Sequence, residues 1–418
     1  FAMQDRLTDS VAAALKLPRG TSRTPTPSGL DTASEQERYL QAIGLLQRYD
    51  KPASVDAAIG LLQGLAAEAP SSPLVQAALG RTYLFKFNDT RESRWVELAE
   101  SSCSRAQQLN PEFPEVDVTL GELRIRTGKA AEAILSFQRA IAAQPNNFDA
   151  LLGLARAQDA SAKAGEAEAT YRRAIQLQPS YFAGYSKLAG FYYAHGQYGK
   201  AAEMFRRVTE LTPDNARSFA NLGATYYLMG SFDSALAAFK KSLELEPNDV
   251  AYTNIGTAQF FLGHYKESSE SFEKAVRLTP HHFHLWANLA DAYRWTKGLE
   301  TKAPEAYDRA IALSREELRV NPRNGQAHSY LAICLAKTGH AREAEDQARE
   351  ALSLEPSDPE RLYYAAVVST LGGRSTEALE RLRRAIAAGF PRVIALRDPE
   401  LAGLKNKKAF QEIVRVGT

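Results

Sequence analysis

Between Leu222 and Pro247 (LGATYYLMGSFDSALAAFKKSLELEP) apolar residues recur at spacings of three and four, break at Gly230, and resume. That period predicts a helix, a turn and a second helix. The pattern repeats along the chain. Prolines at Pro145, Pro179, Pro213, Pro247 and Pro280 are 34, 34, 34 and 33 residues apart, and Pro322 and Pro356 are again 34 apart. Twelve residues before each of the first five stands a small residue: Ala133, Ala167, Ala201, Ala235 and Ser268. Eight before stands an aromatic: Phe137, Tyr171, Phe205, Phe239 and Phe272. Glycines recur at Gly128, Gly196, Gly230, Gly263, Gly339 and Gly373.

Each feature has a physical role in a stack of helix pairs. Proline cannot continue a helix interior, so it closes the second helix of each unit. Glycine supplies the positive φ of the tight turn between helices. The small residues let helices approach closely, and the aromatic fills the space between one unit and the next. The expected fold is therefore all-α: a right-handed superhelical solenoid of about ten helix-turn-helix units over residues 39–392, with a C-terminal capping helix in 393–418.

Two steps, Pro70 to Pro111 and Pro280 to Pro322, are 41 and 42 residues long, implying insertions near Phe87–Trp95 and Trp295–Glu305. Each is expected to lengthen a helix or the turn between helices, with a lip on a binding groove as the alternative. At the end of the array, Asp398 and Pro399 are expected to open a final helix carrying Leu401, Leu404, Phe410 and Ile413. Before it, residues 18–38 begin with a Pro-, Ser- and Thr-rich run and read as a flexible linker. Residues 1–17 place Leu7, Val11, Ala14 and Leu15 on one helical face, and read as a helix that ends an upstream domain or docks onto the array.

Composition narrows the function. The 51 Lys and Arg against 49 Asp and Glu leave a net charge of +2, which argues against a surface built for the phosphate backbone, so no nucleic-acid partner is expected. No apolar run is long enough to span a membrane. Cys103 and Cys334 cannot form a disulfide framework. A cytoplasmic setting is favoured, with the soluble part of a membrane-anchored signalling protein as the alternative. Nothing in the sequence sets the oligomeric state.

The repeat resembles the tetratricopeptide repeat (TPR), whose 34-residue pattern is met at Leu222, Gly223, Tyr226, Ala235, Phe239 and Pro247. The stretches FAMQDRLTDSVAAAL, HLWANLADAYRWTKG and RDPELAGL are further similar to segments of large bacterial signalling proteins. In those, a serine/threonine kinase or nucleotide cyclase domain precedes a long TPR tail. No kinase motif is present, so that resemblance implies at most a regulatory or sensor tail.

The resemblance also places the sixth residue of each first helix on the inner surface of the superhelix. Asn221, Asn254 and Asn288 hold that position in three successive units, and Lys187 holds it in the unit before. An asparagine amide both donates and accepts, so a row of them can grip an extended backbone. Peptide-binding TPR proteins, including the sugar-transferase type, use the position similarly. Six residues further along the same helices lie Tyr193, Tyr227, Phe260 and Arg294, residue types that dominate binding hot spots. These eight are the candidate peptide-binding residues, and the expected partner is a protein or peptide.

Chemistry is not expected. The chain has no phosphate-cradling loop, no His-Glu-x-x-His and no Gly-x-Ser-x-Gly. Glu316–Glu317 and Glu343–Glu345 lie on amphipathic helices among basic residues and read as salt-bridged faces. His281, His282 and His284 follow Pro280 at a junction between units and read as surface histidines rather than metal ligands, which usually come from separated segments. No catalytic residue, metal or cofactor is expected.

Overall fold

The computed structural model describes residues 29–46, 52–90, 92–111 and 113–415, so the helix expected over 1–17 lies outside the described residues. The chain forms two compact units, divided between Pro179 and Ser180. In the first, α1 (Ala33–Leu46) pairs with α2 (Pro52–Glu68), α3 (Pro73–Thr90) with α4 (Arg94–Leu109), α5 (Pro114–Arg126) with α6 (Ala130–Ala143), and α7 (Phe148–Ala160) with α8 (Ala164–Leu177). In the second, α9 (Phe182–Ala194) pairs with α10 (Tyr198–Leu211), α11 (Ala216–Leu228) with α12 (Phe232–Leu245), and α13 (Asp249–Phe261) with α14 (Tyr265–Leu278). The remaining pairs are α15 (Phe283–Trp295) with α16 (Ala303–Val320), α17 (Gly325–Lys337) with α18 (Ala341–Leu354), and α19 (Pro359–Leu371) with α20 (Ser375–Ala387). Among the described residues there are ten pairs and no strand, an all-α solenoid.

The period has a simple anatomy. From α5 to α15 a first helix of 13 residues, a turn of three, a second helix of 14 and a linker of four, shortened to three between α12 and α13, make one repeat. The turn carries a residue at positive φ, such as Gly230 at 75°. There the Ser231 N–H donates to the Tyr226 carbonyl across the helix end at 2.9 Å, which satisfies an orphan carbonyl and reverses the chain. The linker prepares the next helix. Asn147, Asn215, Asn248, Asn324 and Asp358 each accept a hydrogen bond from the backbone N–H three residues on.

Between pairs, the aromatic of the second helix needs a gap on the first helices. Phe137 is fully buried, and its ring lies where a side chain at Gly121 of its own pair or Gly153 of the next would have to go. Phe239 and Phe272 stand against Gly223 and Gly256 in the same way. Ala133, Ala167, Ala201 and Ala235 are all buried where helices touch.

Both insertions lengthen regular structure. The first extends α3 to 18 residues and α4 to 16. The second widens the turn after α15, where Glu300–Lys302 forms a 3-10 turn, and extends α16 to 18 residues.

The array departs from expectation at both ends. Helix α1 starts at Ala33 rather than 39, inside the stretch read as linker. Thr32 and Glu35 form a reciprocal cap: Glu35 N–H donates to the Thr32 hydroxyl at 3.1 Å, and Thr32 N–H to the Glu35 carboxylate at 2.8 Å. At the other end, the single capping helix is three short pieces: α21 (Arg392–Arg397), a 3-10 turn at Pro399–Leu404, and α22 (Lys408–Val414). Pro399 holds Asp398 in an extended conformation (φ −59°, ψ 122°), which stops α21, and the Asp398 carboxylate then accepts from Glu400 N–H at 2.7 Å. Leu401, Leu404, Phe410 and Ile413 still cover the last pair, packing with Leu362, Ala378 and Leu382.

Candidate functional site

Five successive first helices of the second unit (α11, α13, α15, α17 and α19) line a cavity of about 590 Å³. The repeat explains its make-up, because residues at equivalent positions of successive helices come to one surface. The lining is rich in aromatics, among them Tyr227, Phe260, Phe261, Tyr330, Tyr363 and Tyr364, interspersed with Thr253, Thr257, His284 and Asn288 and with charged side chains such as Lys337, Asp291 and Glu360. Rings touch along it: Tyr227 meets Phe261 edge-on at 5.7 Å between centroids, and Tyr330 lies 5.4 Å from Tyr364. The Tyr364 hydroxyl donates to that of Tyr330 at 3.2 Å. Burial pushes the Tyr330 hydroxyl up to about 12, so it stays a neutral donor and acceptor.

Of the eight candidate residues, Tyr227, Phe260 and Asn288 line this cavity. Arg294 lies further along α15 and is engaged by Glu400. Asn221 and Asn254 occupy the equivalent sixth positions of α11 and α13, half-buried and outside the lining. Tyr193 is half-buried on α9, edge-on to Tyr198 at 5.7 Å, and Tyr198 does line the cavity. Lys187 is exposed on α9.

The sequence reading stopped short of the same row. Position six of α17 and α19 is Tyr330 and Tyr364, so the row of asparagines continues as tyrosines. The register alone could have located them. No sequence signal pointed to the remaining wall, which comes from the C-terminal segment.

That segment, residues 391–400, crosses the first-helix face. Val393 lies against Gly230 of the α11–α12 turn, and Arg397 stands over the Phe232 ring at 5.7 Å. Phe390 stacks on Tyr363 at 3.9 Å, and the Tyr363 hydroxyl donates to the buried Asp398 carboxylate. Glu400 is bound by two cations, Arg294 at 2.7 Å and Lys337 at 3.2 Å. Its side chain is 6% exposed and that of Lys337 only 2%. Lys337 also donates to Asp291 at 2.5 Å, and Tyr307 donates to the same carboxylate oxygen.

The electrostatics follow from that geometry. Burial alone would lower the Lys337 ammonium, but Asp291, Tyr307 and Glu400 together hold it well above its ordinary value. Burial would likewise raise Glu400, and Lys337 and Arg294 outweigh it, leaving the carboxyl below the usual glutamate range. Asp398 goes the other way: burial raises it despite the hydrogen bonds it accepts. Asp291, Asp398 and Glu400 thus each answer to a specific donor, and Asp358 is spent on capping α19. What the cavity offers a visitor is aromatic faces, tyrosine hydroxyls, an asparagine amide and the half-exposed Glu360 carboxylate, which meets Arg361 at 3.3 Å.

Elsewhere, chemistry-bearing groups are held in structure. His284 enters the cavity wall, and His281 and His282 stay on the surface. Among the described residues, no group of three or more His, Cys, Asp or Glu side chains is arranged to hold a metal ion. Cys103 and Cys334 are buried, and burial pushes both thiols up to about 12. Glu343 pairs with Arg315 at 2.7 Å across an exposed face, whereas Glu345 is drawn inward by Arg374 and Arg381. No described helix is long and apolar enough to cross a membrane.

Comparison with known proteins agrees with the repeat anatomy. Three family profiles match, each described as a tetratricopeptide or TPR repeat: one at residues 216–249, one at 191–230, and one at 118–182, 253–317 and 307–359. No curated protein matches the chain. Among solved structures, the C-terminal part of a TPR repeat-containing protein from Cytophaga hutchinsonii is 17% identical, with a TM-score of 0.42. The match covers 59% of this chain and 98% of that one. A thermophilic TPR protein from Thermus thermophilus is 25% identical over 45% of this chain and 98% of its own, with a TM-score of 0.36. YrrB, described as a TPR protein with an unusual peptide-binding site, is 25% identical over 47% and 97%, with a TM-score of 0.28. The period, the ten helix pairs and the matched profiles agree, and the chain belongs to the tetratricopeptide repeat family.

Proposed function

We propose that the chain is a protein-interaction scaffold whose second unit binds an extended peptide or partner segment along its first-helix face. One observation carries the reading: five helices build a cavity of about 590 Å³ there, and a stretch of the chain's own polypeptide already lies across it. Aromatic faces supply contact area at low entropic cost, and tyrosine hydroxyls with the Asn288 amide supply bonds to a main chain. Lys187, Tyr193, Asn221 and Asn254 would extend the contact toward α9. This reading assigns the cavity no chemistry: Asp291, Asp398 and Glu400 are held by Lys337, Tyr363 and Arg294, and Glu360 faces Arg361 at 3.3 Å.

The test is capture of partners by wild type and by two variants: the Asn221, Asn254 and Asn288→Ala triple and Tyr330→Ala/Tyr364→Ala. Circular dichroism checks the fold of each. Partners held by wild type and lost by either variant would place binding on this face. Equal capture by all three would overturn the reading.

A further inference from the structure

The C-terminal segment is built into the fold: Ile394 and Ala395 are buried, and Leu401, next to Glu400, is fully buried. It therefore forms a wall of the cavity, and a ligand must suit the groups that remain. Charge is the first constraint. Asp291, Asp358, Glu360, Asp398 and Glu400 line the cavity against a single cation of the lining, Lys337. Burial lowers the His284 imidazole, so it adds no positive charge at neutral pH. Where the lining meets solvent, Arg361 is divided between Glu355 at 2.9 Å and Glu360 at 3.3 Å. Glu360 is thus left the least compensated of the lining carboxylates, with its side chain 52% exposed. Burial raises it by more than Arg361 lowers it.

The aromatic surround is the second constraint. Glu360 and Tyr364 are one turn apart on α19 and share a helix face, and the Tyr364 hydroxyl meets that of Tyr330 at 3.2 Å. Burial raises the hydroxyls of Tyr227, Tyr330 and Tyr364, and the Glu360 charge pushes all three in the same direction, so one carboxylate stands near three rings. Tyr227 lines the cavity with a hydroxyl that makes no hydrogen bond among the described residues, an oxygen left to accept from an N–H donor.

We propose that the cavity takes the arginine or lysine side chain of a basic partner peptide, its alkyl stem against the tyrosine rings and its cationic head at Glu360. The inference rests on the reading of this face as a peptide-binding surface and adds the class of ligand. A cation over a tyrosine face and beside a partly desolvated carboxylate gains from both. An acidic side chain would meet carboxylates, and an apolar one would bury Glu360 without giving it a partner.

Three fluorescein-labelled peptides of alternating serine and a test residue, arginine, its neutral isostere citrulline, or glutamate, probe this by anisotropy against the full chain. Salt at about 0.15 M screens attraction from charges outside the cavity. The arginine peptide should bind wild type about tenfold more tightly than the citrulline peptide, and the glutamate peptide should bind more weakly still. Glu360→Gln should remove the advantage of arginine over citrulline. Glu270→Gln, at an exposed position of α14 outside the cavity, should keep it. Melting curves check that both variants fold, which the exposure of both side chains favours. Equal binding of the arginine and citrulline peptides by wild type would overturn the proposal, as would an advantage that survives Glu360→Gln. Free arginine amide binding as tightly as the peptide would overturn the peptide as the ligand. If arginine and citrulline peptides bind alike and both are lost on Tyr330→Ala/Tyr364→Ala, this inference alone fails and the surface stands. No binding by any of the three overturns it too, and the surface then stands or falls with partner capture by the Tyr330→Ala/Tyr364→Ala variant.

Discussion

Arg294 and Glu400 stand 106 residues apart in the sequence and meet at 2.7 Å, joining α15 to the segment that follows the last repeat. Glu400 is almost enclosed while Arg294 is partly open to solvent, so screening trims the pair without removing it. A double-mutant cycle of Arg294→Gln and Glu400→Gln should return a coupling of about 1–2 kcal/mol by urea denaturation. Lys337 still holds Glu400 in the Arg294 variant, which keeps the single loss below that of a fully orphaned buried charge. A coupling indistinguishable from zero would mean that the pair contributes nothing to docking of the segment.

Phe137 and Gly153 give a packing prediction. A β-carbon at position 153 would lie 2.2 Å from the Phe137 ring, and the ring, wedged also against Gly121, has nowhere to retreat. Gly153→Ala should cost about 1–3 kcal/mol through overpacking, despite the higher helix propensity of alanine. Combining it with Phe137→Leu should cost less than the sum of the two single changes, because the smaller side chain makes the room. Additive losses would show that the clash is relieved elsewhere. The same logic applies at Ala235, fully buried between helices, where Ala235→Phe should cost about 1–3 kcal/mol. A melting curve unchanged from wild type would contradict the register.

What was legible in the sequence follows the range of the interactions. Pro145 to Pro280, Phe137 and Gly230 act within one repeat or between neighbours, so their spacing is written in the chain and the helix pairs follow from it. The row of Asn221, Asn254 and Asn288 was visible for the same reason, but residue type hid its continuation at Tyr330 and Tyr364. The capping box at Thr32 and Glu35 lay unread inside a stretch whose composition suggested a linker. Glu400 was illegible altogether: its partners on α15 and α17 become neighbours only once the repeats have stacked. Read locally, RDPELAGL is a proline-interrupted end, and only the assembled fold turns its carboxylates toward the groove.

Ala162 occupies the turn position that other repeats give to glycine, with φ at 59°. An L residue with a β-carbon is strained there, by about 1 kcal/mol for a single residue. Glycine regains that strain and loses part of it to the greater freedom of the unfolded chain. Ala162→Gly should therefore stabilise the α7–α8 pair by up to about 0.6 kcal/mol, seen as slower amide exchange across both helices. Faster exchange in the variant would show that the alanine methyl contributes packing that outweighs its strain.

The pH response of the C-terminal segment has a sign that can be worked out. The folded value of Glu400 is depressed, so its contribution is present above the unfolded value of about 4.3 and is lost as pH falls through the lower folded value. Asp398 is raised in the folded state, so its protonation on mild acidification opposes release rather than promoting it. The segment should therefore stay docked as pH falls from 7 to about 5 and loosen only below about 4. Carboxyl ¹³C titration, with Glu400→Gln for assignment, should place the Glu400 midpoint below that of an ordinary glutamate. Amide exchange over residues 391–400, corrected for the intrinsic rate, should lose protection at that same midpoint. A Glu400 midpoint at or above the ordinary value would mean that Arg294 and Lys337 do not hold the ionised carboxylate in solution. Binding of the segment would then have to rest on its apolar contacts alone.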